Sequence, residues 1–141
     1  MSRAALPTTE AAVAAVTALA RRHGRALAVE HDIGADRTFA GAVGAVDAAL
    51  PHEALLELAG RPAVRVRLFT HDEALVTVEG VDVDVPRDRL PAFLDAVYGG
   101  LAHVKVRAFP PARTLKIAVP GEPTYREHVD LMTPWLWSVA R

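Results

Sequence analysis

Apolar and polar residues alternate along several short segments of the second half of the chain. Val64, Val66 and Leu68 are followed by Val76 and Val78, then by Val81, Val83 and Val85, and later by Val104, Val106, Leu115, Ile117 and Val119. A period of two places such residues on one face of a strand, so the pattern predicts a sheet with one apolar and one charged face. Folding residues 64–69 back on 75–79 sets Leu68 opposite Val76 and Val66 opposite Val78. A tight turn at Glu79-Gly80 then sets Val78 opposite Val81 and Val76 opposite Val83; a bulge at Gly80 within one long strand is the alternative and keeps the same core. Further on, residues 104–109 and 114–119 flank a four-residue loop, pairing Val106 with Ile117, Ala108 with Leu115 and Val104 with Val119.

Helical periods occupy other stretches. Thr8 or Thr9 can cap a helix with Glu10 in its first turn, an apolar stripe of Ala12, Val13, Val16, Leu19 and Ala20, and basic residues 21–23 at its end. Residues 26–30 read as a short strand and 32–37 as a turn around Gly34. Phe39, Val43, Val46 and Leu50 then recur at helical spacing, and residues 53–58 read as another short helix ended by Gly60 and Pro62. A helix begins near Asp88 and carries Leu90, Phe93, Leu94 and Val97 up to Gly99-Gly100. A last helix is expected from about Tyr125, carrying Val129 and Met132, with Pro134 kinking or restarting it.

Together these elements predict one α+β domain over residues 1–141. Residues 1–60 are expected to be mainly helical, and residues 61–141 to form β-β-β-α-β-β-α, a largely antiparallel sheet with helices on one face. The length of 141 residues suits one domain. Apolar residues make up 51% of the chain, carried by Ala and Val, which predicts a finely divided core with few large anchors.

Composition narrows the function classes. The chain has no cysteine, which excludes disulfides, thiolate metal sites and cysteine catalysis. Lys105 and Lys116 are its only lysines; the arginine bias, with abundant Ala and Val, suggests a GC-rich bacterial genome. Pro7, Thr8, Thr9 and Glu10 interrupt any secretion-signal pattern, and no run approaches the roughly 20 apolar residues of a membrane span. A soluble cytoplasmic protein, with no membrane association, is expected. The formal charge of −1 points away from a nucleic-acid binder. A winged helix, with residues 53–58 as recognition helix, is disfavoured because that segment brings His52, Glu53 and Glu57 but no Arg or Lys.

No glycine-rich phosphate loop, nucleophile elbow or His/Cys dyad is present, and Ser2 and Ser138 are both near termini. No cofactor is indicated. His31, Asp32 and Asp36 around Gly34, and His71, Asp72 and Glu73 at a hairpin tip, bring together imidazoles and carboxylates. Their spacing matches no established metal site, and Asp in turns commonly hydrogen-bonds the backbone. Tyr125, Arg126 and His128 could finish an anion pocket at a helix start. Trp135 and Trp137 lie about 200° apart around a helix, so one is expected to face the N-terminal layer or a second copy in a homodimer.

The charged sheet face carries the main functional expectation. The expected pairing sets Arg65 opposite Glu79 and aligns Arg67, Thr77 and Asp82, with Asp84 further along, while Lys105, Arg107 and Lys116 share the face of the last hairpin. Such a mixed face suits a protein partner better than a uniform polyanion. The reading is a small interaction module, of adaptor, regulator or immunity/antitoxin type, binding through Arg65, Arg67, Glu79, Asp82, Asp84, Lys105, Arg107 and Lys116. The alternative is a small-molecule-binding protein or small enzyme, with a pocket between sheet and helices drawing on His31, His71, His103, Arg107, Tyr125, Arg126 and His128.

Overall fold

A computed structural model describes residues 6, 8–31, 53–69 and 72–141. Helix α1 (Thr9–Arg22) is capped by Thr8, whose hydroxyl accepts from the Ala11 amide, and carries Glu10 in its first turn and Arg21 and Arg22 in its last. Ala12, Val16, Leu19 and Ala20 form its buried stripe. The expected helix is therefore present, and β1 (Leu27–His31) follows as expected. The turn and helix expected over residues 32–50 lie outside the described residues.

Five strands form an antiparallel meander in the order β1-β2-β3-β4-β5. They are β1, β2 (Ala54–Leu58), β3 (Val64–Leu68), β4 (Glu73–Val78) and β5 (Val81–Pro86). The segment read as a helix at 53–58 is thus strand β2. Ala54, Leu56 and Leu58 are buried while Glu57 is exposed, a period of two hidden among helix-forming residues. Six residues give a helix little chance to nucleate, whereas β1 and β3 pair with β2 on both sides. Pairing outweighs local propensity here.

The first hairpin pairs Val66 with Val76 and Leu68 with Ala74, a register two residues from the one expected. Because the shift is even, every side chain keeps its face. The next turn is as expected, with Val78 opposite Val81 and Val76 opposite Val83. Glu79 and Gly80 both take positive φ, 49° and 85°, the geometry of a two-residue I′ turn whose twist matches the strands.

A 3-10 turn (Arg87–Arg89) leads into α2 (Leu90–Tyr98), which buries Leu90, Phe93, Leu94, Ala96 and Val97. Helix α2 packs on α1, β5 and β7, so it links the first sheet to the second. That second sheet runs β6-β7-β8, with β6 (Ala102–Ala108), β7 (Pro111–Ile117) and β8 (Tyr125–His128). The β6–β7 turn is two residues long, Phe109-Pro110, and the register is Val104 to Leu115 and Val106 to Arg113. The four-residue loop expected there is not formed; the shift of four residues is again even.

Tyr125–His128, read as the first turn of a helix, is strand β8, paired with β7 from Thr114 to Ile117. The last helix, α3 (Pro134–Ser138), starts only after Thr133, whose hydroxyl caps Leu136 N, with Pro134 at its first position. Proline lacks the amide a helix interior needs but suits its first turn, so Pro134 starts the helix. Leu136 is buried, Trp135 half-buried and Trp137 55% exposed, so the two indoles do diverge. The chain end pairs with β6 through Val104 N to Val139 O at 3.0 Å and Arg141 N to Val104 O at 2.9 Å.

One buried apolar cluster joins α1, α2, α3 and both sheets. The fold is α+β, with antiparallel sheets and helices against their apolar faces. Among the described residues no helix is long and apolar enough to cross a membrane.

Candidate functional site: two charged sheet faces

The two sheets present polar faces of different character. On the first sheet, register places Glu57, Arg65, Thr77 and Asp82 in one row and Leu55, Arg67, Leu75 and Asp84 in the next. Arg65 lies 3.2 Å from Glu57 and Arg67 3.7 Å from Glu53. Thr77 donates to Asp82 at 2.6 Å. The cations of this face are thus met by acidic neighbours, in exposed pairs worth about 0.2–1 kcal/mol each.

Glu79 does not join that face. Its side chain is 1% exposed and accepts from Arg61 Nη1 at 3.0 Å, from the Ala63 amide at 2.6 Å and from Thr133 Oγ1 at 2.7 Å. The pairing expected between Arg65 and Glu79 is not made; Thr77 stands opposite Arg65. Burial pushes the Glu79 carboxyl up, but the hydrogen bonds from Ala63, Thr133 and Arg61 and the charge of Arg61 outweigh it and hold the group below its ordinary value. Glu79 fastens the β2–β3 turn, the β4–β5 turn and the start of α3 to one another.

The second sheet shows the opposite balance. Register aligns Lys105 with Thr114 and His128, His103 with Lys116 and Arg126, and Arg107 with Ala112. Lys105, Arg107, Lys116 and Arg126 surround a depression of about 300 Å³ whose other walls are Ala112 and Thr114. Among the described residues, none of these four cations has a carboxylate within ion-pair distance. Desolvation first, then the charges of Lys105 and Arg126, push the Lys116 amine down. Burial, followed by Arg141, Lys116 and Lys105, pushes His103 down as well, favouring its neutral form. Like charges facing one another across strands oppose folding, and an anion seated in the depression would relieve that repulsion.

The β6–β7 hairpin carries this basic face out to an apolar tip, where Phe109 is 92% exposed. Its sequence signal, an aromatic residue before Pro110-Pro111, is visible in the chain but marks only a turn until the two-residue connection is known.

The other residues singled out from sequence are dispersed. Tyr125 turns to the inner side of β8, edge-on to Phe93 at 5.0 Å, and donates to Glu122 at 3.3 Å. Burial and Glu122 push its phenol up, and Arg89 partly offsets them. His128 pairs with Asp130 at 3.1 Å. His31 lies in β1 opposite Ala54, and nothing is described of its side chain; His71, Asp32 and Asp36 lie outside the described residues. Asp72 accepts from Arg87 at 3.2 Å, holding the 3-10 turn against the hairpin before β4. The set His103, Arg107 and Arg126 shares the second sheet's outer face, but Tyr125 is on the other side. Among the described residues no cluster of three His, Cys, Asp or Glu could hold a metal.

Compared with known proteins, the chain matches no family model, no curated protein and no solved structure.

Proposed function

We propose that the protein is an interaction module that binds an acidic surface of another protein through the outer face of β6, β7 and β8. The observation that carries this reading is the grouping of Lys105, Arg107, Lys116 and Arg126 around one depression, with no acidic partner among the described residues. The first sheet, on which Arg65, Arg67, Asp82 and Asp84 were expected to contribute, already satisfies its arginines internally.

Two further features favour a protein over a long polyanion. With the four cations of this face set aside, the rest of the chain is net acidic, and would repel nucleic acid extending beyond the patch. A local acidic surface or peptide meets only the patch. Phe109 beside these charges supplies the apolar anchor that protein interfaces use, with arginine and aromatic residues carrying most of the binding free energy. Charged rims of this kind accelerate association and select partners.

The experiment compares capture of a native partner by the wild-type chain, by Lys105→Glu/Lys116→Glu and by Arg65→Glu/Arg67→Glu, all checked for fold by circular dichroism. The reading expects capture to be lost only with the second-sheet variant. Equal capture by all three chains, or loss confined to the first-sheet variant, would refute it.

A further inference from the structure

A second concavity, of about 310 Å³, lies where the turns after α1 and β2, the end of α2, and α3 with the chain end meet. Its walls include Arg25, Arg61, Arg141, Tyr98 and Trp135, and among the described residues no acidic side chain lines it. We propose that this concavity binds a small planar organic anion, an aromatic body carrying a carboxylate or phosphate group.

Arg25 is the centre of the argument. Its amide donates to Ala20 O at 2.8 Å, which fixes the backbone just past α1. Its guanidinium lies 4.9 Å over the ring of Tyr98, a cation-π contact that holds it in one orientation. Gly60, at φ +94°, stands so close to it that an added Cβ would collide with Arg25 Nη1. The guanidinium therefore packs against both an aromatic ring and a residue with no side chain. Among the described residues no carboxylate pairs with it, so its fork of donors is left for an external oxyanion.

The other two cations differ in state. Arg61 keeps its 3.0 Å bridge to the buried Glu79. Arg141 is placed by its backbone, which both accepts from Val106 and donates to Val104 on β6. Arg25 and Arg141 thus line one recess with no acidic side chain among its described lining residues, and an anion seated between them gains attraction from both. Trp135, half-buried, supplies a flat apolar wall beside the guanidiniums, so a charged head alone would leave that aromatic surface unused.

Tyr98 acts through its ring. Burial pushes its phenol up to about 12, with Arg25 opposing, so it stays neutral beneath the guanidinium. Its hydroxyl is sealed from solvent with no hydrogen-bond partner among the described residues. It is a positioning residue for Arg25.

The test is titration of ¹⁵N-labelled protein with benzoate, phenyl phosphate, inorganic phosphate and benzyl alcohol, followed through the Trp135 indole and the Arg25 and Tyr98 amides. The proposal expects saturable shifts with benzoate or phenyl phosphate, the stronger of the two telling carboxylate from phosphate. It expects inorganic phosphate to bind roughly tenfold more weakly and benzyl alcohol not to bind. Arg25→Gln should weaken binding roughly tenfold or more; Tyr98→Phe should preserve it, and Tyr98→Leu, which removes the ring, should weaken it. Lys105→Glu/Lys116→Glu should leave it unchanged, which separates this site from the second-sheet face. No saturable shift at about 10 mM ligand, shifts confined to β6 and β7, or full binding by Arg25→Gln and Arg141→Gln would overturn it.

Discussion

Thr133 donates from Oγ1 to Glu79 Oε1 at 2.7 Å and, through the same oxygen, accepts from Leu136 N at 3.2 Å. One hydroxyl thus caps α3 and ties it to the turn between β4 and β5. Glu79 holds a left-handed backbone at φ 49°, unfavourable for a residue with a side chain, and its three donors offset that strain. Thr133→Ala should lower stability by about 1–2 kcal/mol, because the cap and the carboxylate contact are lost together. Urea unfolding measures the change; a Thr133→Ala protein as stable as wild type would show that α3 is held by packing alone.

The same carboxylate makes stability depend on pH. Its folded value lies below its unfolded value, so its contribution is complete above the unfolded carboxylate range, near 4.3. That contribution is lost as pH falls through the lower folded value. Glu79→Gln should cost about 1–3 kcal/mol at neutral pH, and the gap to wild type should narrow on acidification. Unfolding curves at pH 7 and at about pH 3 check this; a gap that widens in acid would contradict the assignment.

Arg87 is 4% exposed, with its Nε donating to Leu6 O at 2.7 Å, while Leu6 N donates to Asp88 Oδ1 at 2.7 Å. Two adjacent residues grip both backbone groups of Leu6, a position far away in sequence. Arg87→Ala should cost about 2–3 kcal/mol and release Leu6. Hydrogen exchange should then show faster exchange at Leu6 while the β3 and β4 amides stay protected.

Strand β2 is tested by the contrast between neighbours. Leu56 is fully buried and Leu55 only partly. Leu56→Ala should cost about 2–5 kcal/mol and Leu55→Ala distinctly less. Equal costs would contradict the alternation that defines the strand.

Tyr98 offers a substitution with the opposite sign. Its hydroxyl is buried with no partner among the described residues, so Tyr98→Phe removes an unmet polar group and should leave stability unchanged or raise it by up to about 1 kcal/mol. A loss above about 1 kcal/mol in thermal unfolding would show that the hydroxyl is satisfied in solution.

What the sequence revealed of this fold follows a physical division. Alternation over 64–85 identified β3, β4 and β5 and their inner residues, because a period of two is written locally. Register was not local: hairpin lengths at Phe69–Asp72 and at Phe109-Pro110 shifted the pairings by even numbers of residues, preserving each face while changing which charges meet. That is why Arg65 faces Thr77, while Glu79, in the β4–β5 turn, leaves the strand face for its donors Arg61, Ala63 and Thr133. Strands β2 and β8 were misread because their residues favour helix or cap one, and only their partners across the sheet decide otherwise. Lys105, Arg107 and Lys116 were legible as a group from their alternation. Arg126 joined them only once β8 was a strand, and Arg25, Arg61 and Arg141 meet through turns that no period encodes.

The most direct test of the interaction reading is amide mapping of the folded protein with an acidic decapeptide of alternating Asp and Glu containing one central Phe. The account predicts shifts concentrated on 103–109, 112–116 and 126–128, diminished by added salt and abolished by Lys105→Glu/Lys116→Glu. Shifts centred on β3 and β4, or persisting undiminished in that variant, would contradict it.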